Sequence, residues 1–144
     1  MKTGASTSYP KEKINILFLE GIHSSALEIF KREGYSNIES LSHALKPDEL
    51  GKRLKGVHVL GIRSKTQVTA EALAAADKLL TIGAFCIGTN QIDMNESMMS
   101  GIAVFNSPFS NTRSVAELVI AELILLLRKA IDKNRSEEHT SELQ

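Results

Sequence analysis

The sequence has 144 residues, 42% of them apolar and 24% charged, with a formal net charge of zero and no tryptophan. This composition suits one soluble globular domain, and the neutral balance gives no support for nucleic acid or an anionic membrane as a partner. The single cysteine, Cys86, excludes an intrachain disulfide and a cysteine-rich zinc site and favours a reducing, cytoplasmic location.

The chain carries no signal for export or membrane insertion. Residues 1–11 contain few apolar side chains, so we expect a disordered leader and not a signal peptide, which needs a continuous apolar stretch. The longest apolar run, 118–127, is interrupted by Glu122 and is too short for a membrane span, which needs about 20 residues. We therefore expect a protein that stays in the cytoplasm.

From residue 12 onward, short apolar runs alternate with segments that carry helix signals. Five runs predict strands: 14–19, 37–39, 57–62, 79–82 and 102–105. Residues suited to begin a helix precede or open four of the intervening segments: Ser24 or Ser25, Pro47, Thr69 and Asp93. Glycines suited to end helices follow at Gly34, Gly56 and Gly101. This alternation predicts an α/β domain with a parallel five-stranded sheet in the flavodoxin-like order 2-1-3-4-5.

A longer helix is predicted from Ser114, which has capping-box spacing to Glu117. Residues 118–127 are apolar on nearly every side of such a helix, whereas a surface helix has one apolar stripe. We therefore expect residues 12–107 to form the first part of a domain. Residues 108–134 would then form a crossover loop and a long apolar interdomain helix, which packs against a further domain.

The last ten residues, 135–144, differ from the rest of the chain. They resemble the in-frame translation of a common DNA-sequencing adapter, and a natural charged C-terminus is the alternative. We expect this segment to be an artefact, with the natural reading frame continuing beyond Asn134.

Ligands of parallel α/β sheets bind where the strands end, so the loops at those positions are the candidate sites. Arg63-Ser64-Lys65-Thr66 follows a predicted strand and offers two cations and two hydroxyl groups. The guanidinium of Arg63 can bind a carboxylate or phosphate with two hydrogen bonds, and Lys65 supplies a point charge. The loop predicts an anion-binding site, with a solvated surface loop as the alternative.

Two further loops are weaker candidates. The glycines between 83 and 90 allow a backbone to approach a ligand, although a tight turn explains them more simply. Cys86 is interpreted as a small buried hydrophobic residue, because no histidine or lysine beside it in sequence would activate a nucleophile. Arg113 precedes the apolar helix, where it either meets an anion or is simply exposed.

Several other patterns carry no function. The spacing of Gly51 and Gly56 imitates a phosphate-binding loop, but the lysine and hydroxyl residue that should follow are absent. The sequence contains no G-x-G-x-x-G, and His23, His43 and His58 lack metal-ligand spacing. It therefore assigns no catalytic residue and no metal ligand.

With these loops in view, the chain from about Lys13 to Asn134 resembles the D-isomer-specific 2-hydroxyacid dehydrogenases. The segments Ile87–Asp93 and Val104–Leu118 carry the resemblance most specifically. It implies an incomplete, flavodoxin-like substrate domain whose last helix crosses to a nucleotide-binding domain. It also implies a cytoplasmic homo-oligomer that transfers hydride to NAD from a phosphorylated hydroxy acid, 3-phosphoglycerate in the nearest branch, on the route to serine.

By resemblance, six residues would face the substrate: Arg63, Ser64, Lys65, Cys86, Asn111 and Arg113. Ile87 would contact the nicotinamide of NAD. The family loop commonly reads Arg-Ser-Arg-Thr, so Lys65 keeps the charge but loses the bidentate fork of a second arginine. The family's main NAD fingerprint, its catalytic arginine and its glutamate–histidine pair would lie beyond Asn134. The 144-residue product is therefore predicted to be inactive by itself.

Three alternatives stay open at this point. The first is another dehydrogenase of the same family, such as a glycerate or 2-oxoacid reductase. The second is a non-catalytic member that binds NAD and partner proteins. The third is a receiver-like signalling module of the same topology, which would need an aspartate where Gly61-Ile62-Arg63 stands.

Overall fold

One parallel sheet of five strands organises the domain. The computed structural model describes residues 9–129, and its strands are Ile16–Phe18 (β1), Ile38–Ser40 (β2), Val59–Ile62 (β3), Thr81–Ala84 (β4) and Ala103–Asn106 (β5). They lie in the order β2-β1-β3-β4-β5, with every neighbouring pair parallel. The predicted α/β class and strand order are confirmed.

Helices connect the strands as the sequence predicts. They are Ser24–Arg32 (α1), Pro47–Arg53 (α2), Ala70–Ala74 (α3), Met94–Met99 (α4) and Thr112–Leu127 (α5), and a short 3₁₀ turn covers Lys11–Lys13. Thr69 and Asp93 cap α3 and α4 through side-chain oxygens, as predicted. The cap of α1 is His23 and neither Ser24 nor Ser25, because the His23 Nδ1 accepts a hydrogen bond from the Ser25 amide at 3.2 Å.

The core lies on both faces of the sheet, since alternate residues of a strand point to opposite sides. Leu17 belongs to the larger cluster, which includes Leu50 of α2 and Leu73 of α3. Its neighbours in β1, Ile16 and Phe18, belong to a smaller cluster against α1. The sheet is thus buried around β1 and β3, and this packing fixes the loops that leave their carboxyl ends.

The chain divides into two compact units, Met1–Pro108 and Phe109–Gln144. The boundary falls one residue after the predicted end of the domain at 107. In the second unit, α5 begins at Thr112 with Asn111 at its N-cap, so the predicted capping box at Ser114 is wrong. The Glu117 carboxylate accepts a hydrogen bond from Arg113 Nε at 2.7 Å, an i,i+4 pair that competes with the predicted cap. The apolar side chains of α5 are exposed, Leu118 and Leu127 by 59% and 75%.

Residues 9–11, which the sequence assigns to a disordered leader, have a defined structure. The Tyr9 ring lies 5.8 Å from the ring of His58, and Lys11 begins the 3₁₀ turn. Residues 1–8 and the predicted adapter segment, 135–144, lie outside the described residues. Among residues 9–129, no helix is long and apolar enough to cross a membrane, and no cluster of potential metal ligands occurs.

Candidate functional site

The loops after β3 and β4 leave the carboxyl edge of the sheet side by side. In the strand register, Ile62 of β3 pairs with Ala84 of β4, and Ala84 pairs with Asn106 of β5. The loops that begin at the next residues of β3 and β4, Arg63 and Phe85, are therefore neighbours. This is the edge at which parallel sheets bind ligands.

The 63–66 loop presents its two cations to solvent. Arg63, Ser64 and Lys65 are exposed, whereas Thr66 is fully buried. Among the described residues, the side chains of Arg63 and Lys65 form no ion pair. Both charges are therefore available to an anion from solvent, and the anion-binding role of this loop stays a prediction.

Glu20, which sequence reasoning missed, lies beneath this loop. It follows β1 and is 8% exposed. Its Oε1 accepts hydrogen bonds from the backbone N–H of Arg63 at 3.1 Å and of Thr66 at 2.9 Å, and its Oε2 accepts from Lys65 at 2.9 Å. The signal that could have found it is an acidic residue at the end of an apolar strand, on the edge where the other candidate loops begin.

The Glu20 carboxyl is held in its charged form. Burial acts to raise the pKa of Glu20, but hydrogen bonds from Thr66, Lys65 and Arg63 together lower that pKa below its ordinary value. A fixed negative charge therefore lies under the loop that carries the two exposed cations.

A buried glutamine joins the 63–66 loop to the loop after β4. The Gln91 Nε2 lies 3.0 Å from the Arg63 carbonyl oxygen, 3.3 Å from Cys86 Sγ and 3.2 Å from the Gly88 carbonyl oxygen. Cys86 is half-buried, and its thiol also donates to the Gly88 carbonyl at 3.3 Å. The interpretation of Cys86 as a plain buried hydrophobic residue is therefore incomplete, because its sulfur belongs to a polar network.

The loop after β4 is further fixed by β5. The Asn106 amide donates to the Ile87 carbonyl oxygen at 2.7 Å, and the Ser107 N–H donates to the Cys86 carbonyl oxygen at 3.0 Å. The Ile87 side chain is 44% exposed. Two predicted site residues, Cys86 and Ile87, thus share a hydrogen-bonded rim with Arg63 and its loop.

The other two predicted site residues belong to the second unit. Asn111 is the N-cap of α5 and makes no side-chain capping hydrogen bond, and Arg113 pairs with Glu117. Their approach to the 63–66 loop stays a prediction. The site that the structure assembles consists of the loops after β1, β3 and β4, together with Asn106 and Ser107 at the end of β5.

Residues 16–142 match the family model for the D-isomer specific 2-hydroxyacid dehydrogenase, catalytic domain. The chain belongs to this family. The alternative of a receiver-like signalling module is thereby excluded.

Relatives named D-3-phosphoglycerate dehydrogenase are about half identical to this member of the family. The protein from Dictyostelium discoideum shares 52% identity over 129 residues, and that from Escherichia coli K12 shares 50% over 130 residues. Each alignment covers 90% of this chain but only 31% or 32% of the relative. The chain therefore spans about a third of the length of the curated relatives it matches.

Solved structures share the fold. The TT0316 protein from Thermus thermophilus has a TM-score of 0.74 at 24% identity, over 83% of this chain and 38% of that chain. The NAD+-bound 3-phosphoglycerate dehydrogenase of Entamoeba histolytica has a TM-score of 0.65 at 22% identity, over 78% and 39% respectively. At these identities the likenesses establish a common fold for the five-stranded domain.

Proposed function

We propose that this chain forms the first third of an NAD-dependent D-3-phosphoglycerate dehydrogenase. The reaction is oxidation of 3-phospho-D-glycerate to 3-phosphohydroxypyruvate, which opens serine biosynthesis in the cytoplasm. The observation that carries the proposal is the identity of about 50%, over nine-tenths of this chain, to relatives named for that enzyme.

The 63–66 loop would bind the anionic groups of the substrate. A phosphorylated hydroxy acid carries a carboxylate and a phosphate, and the exposed Arg63 and Lys65 lie two residues apart in one short loop. Arg63 suits two parallel hydrogen bonds to one group, and Lys65 suits a single charge contact. The Ser64 hydroxyl adds a neutral donor. This pair of cations favours a phosphorylated substrate over an unphosphorylated one.

The rim formed by the loop after β4 would place the reacting carbon. Cys86 and Ile87 are fixed through their backbone carbonyls by Ser107 and Asn106, so the surface they form is rigid. We assign Cys86 to the substrate and the exposed Ile87 side chain to the nicotinamide, whose ring suits an apolar neighbour. When bound, NAD supplies the acceptor for the hydride.

NAD would be held mainly by residues that this sequence does not contain. The 144 residues include no G-x-G-x-x-G, and no general acid or base is assigned among them. We propose that α5, with its exposed apolar side chains, crosses to the nucleotide-binding domain, and that Asn111 and Arg113 line the cleft. On this account the complete enzyme is a homo-oligomer, and the 144-residue chain alone is inactive.

The test is made on the complete enzyme, obtained by reading the source DNA past codon 134. NADH formation is measured with 3-phosphoglycerate and with D-glycerate as substrates. The proposal predicts a strong preference for the phosphorylated compound. It also predicts that Arg63→Ala lowers kcat/KM by about 10–100-fold, the loss expected for a charge-assisted contact.

The matched control is Arg32→Ala on α1, whose exposed side chain lies 4.0 Å from the Glu33 carboxylate. This variant should keep kcat/KM within about twofold of wild type, because exposed pairs of this kind contribute little. A preference for D-glycerate would indicate another dehydrogenase of the family. Absence of turnover with every hydroxy acid, with NAD binding intact, would indicate a non-catalytic member.

A further inference from the structure

The backbone of Arg63 is held on both sides by buried side chains. Its N–H donates to Glu20 Oε1 at 3.1 Å, and its carbonyl oxygen accepts from Gln91 Nε2 at 3.0 Å. Glu20 and Gln91 are 8% and 4% exposed. They lie 43 residues before and 28 residues after Arg63 in the chain. The position of the Arg63 backbone is therefore fixed by two residues from the loops after β1 and β4.

Two further backbone donors of the loop, those of Lys65 and Thr66, are also occupied. Successive backbone N–H groups in a turn form a concave surface that ordinarily attracts an external anion. Here the N–H groups of Lys65 and Thr66 both point to the Glu20 carboxylate, at 2.9 Å each. A ligand anion thus cannot use these three backbone groups, which favours binding through the side chains of the loop.

We propose that Glu20 is a positioning residue for anion recognition: it accepts hydrogen bonds from three backbone N–H groups of the 63–66 loop and so directs Arg63 and Lys65 toward the substrate. The inference deepens the proposed function and rests on it. Glu20 does not touch the substrate in this account, and its effect passes through the loop.

The backbone of Glu20 supports a role for its side chain. Its φ is +63°, in the left-handed region that glycine adopts freely and other residues rarely adopt. The backbone contact there, from the Glu20 N–H to the His43 carbonyl at 3.1 Å, would be available to any residue. A glutamate in this strained conformation is explained if its carboxylate has a task that glycine could not perform.

The Glu20 carboxylate can act through its charge or through its hold on the loop, and the two explanations predict opposite changes in substrate binding when the carboxylate is removed. Removing a negative charge beside two cations would strengthen binding of an anionic substrate if charge alone mattered. Releasing the loop would instead weaken binding, because Arg63 and Lys65 lose their fixed orientation. The direction of the change in KM therefore separates the two explanations.

The experiment compares Glu20→Gly and Glu20→Gln in the complete enzyme. Glycine relieves the backbone strain while removing the carboxylate, and glutamine keeps the size but replaces an acceptor oxygen by a donor. Both variants are expected to raise the KM for 3-phosphoglycerate by about tenfold or more, with kcat changed by less than about threefold.

Two controls separate positioning from charge and from general stability. Glu28→Gln removes the same charge from an exposed position on α1 where no described residue pairs with it. Asp77→Asn weakens a structural contact away from the site. Asp77 Oδ1 accepts a hydrogen bond from the Gly56 N–H at 2.6 Å, and both residues lie before the amino ends of strands, at the opposite edge of the sheet. Both controls should leave KM within about twofold of wild type, although Asp77→Asn lowers the melting temperature.

A second readout needs no substrate. Hydrogen–deuterium exchange of the complete enzyme should show slow exchange in peptides covering 63–66, and faster exchange there in both Glu20 variants. The proposal is overturned if KM falls or stays within about twofold in Glu20→Gly, if Asp77→Asn raises KM equally, or if exchange at 63–66 is unchanged. If wild type fails to oxidise 3-phosphoglycerate, the proposed function fails, and the exchange measurement still decides whether Glu20 fixes the 63–66 loop.

Discussion

Replacing Gly61 by alanine is expected to destabilise the domain by about 1–3 kcal/mol, the usual cost of overpacking a core. A Cβ added at position 61 would lie 2.8 Å from Cε1 of Phe18, closer still to Cδ1, and 3.0 Å from Cδ1 of Ile22. The Phe18 ring is 1% exposed and packs edge-on against Phe30 and Phe85, at 5.4 and 5.8 Å between ring centres. Because the ring is enclosed by other side chains, we expect that it cannot withdraw without disturbing them.

The matched control is Gly83→Ala, one strand away in the same row of the sheet. There the nearest atom to an added Cβ is Cε2 of the half-exposed Phe85 at 3.4 Å, so we expect a change of less than about 1 kcal/mol. Neither glycine has a positive φ, so the comparison reports space and not backbone strain.

The assay is equilibrium urea unfolding followed by far-ultraviolet circular dichroism. It is repeated at several protein concentrations, so that association through the exposed apolar residues of α5 is detected. Gly61→Ala should unfold at a clearly lower urea concentration than wild type and Gly83→Ala. The packing argument is refuted if Gly61→Ala is as stable as wild type, or if the two alanine variants are equally destabilised.

Two further predictions concern the charged residues of the candidate site. Because the pKa of Glu20 lies below its ordinary value of 4.5, its carboxylate stabilises the folded state above that pH, and this contribution is lost as the pH falls through the lower folded-state pKa. The free energy of unfolding, measured by urea titration between neutral pH and acid, should therefore decline less steeply in Glu20→Gln than in wild type; parallel curves would contradict the assignment. Lys65→Arg gives the loop a second guanidinium, which can donate two parallel hydrogen bonds to one anionic group. It should lower the KM for 3-phosphoglycerate in the complete enzyme by about 3–10-fold. A KM that rises in Lys65→Arg would show that the loop requires a point charge at this position.

Much of the fold could be predicted from local patterns. The apolar runs around Leu17, Leu60 and Ile82 predict strands, and Thr69 and Asp93 predict the starts of helices. These predictions succeed because each depends only on residues that are close together in the chain. Parallel strands joined by helices then allow few topologies. The helix start at Ser114 was wrong because a capping box is only one of several hydrogen bonds open to Glu117, and Arg113 takes its carboxylate instead.

The site could be predicted only in part. Arg63 and Lys65 are recognisable in the sequence as cations that follow a strand, and Cys86 and Ile87 follow the neighbouring strand. Glu20 is recognisable only as an acidic residue at the end of an apolar run, because its partners lie 43 to 46 residues away and become adjacent only when β1 and β3 pair. Local spacing rules do not detect contacts that depend on strand pairing.

The most direct test of the central claim joins residues 1–134 of this chain to the remaining part of the Escherichia coli relative, with which it shares 50% identity. The account predicts a folded chimera that binds NADH, seen by its fluorescence, and oxidises 3-phosphoglycerate with a kcat/KM within about tenfold of the parent enzyme. A chimera that folds and binds NADH but forms no NADH from 3-phosphoglycerate and NAD would contradict it.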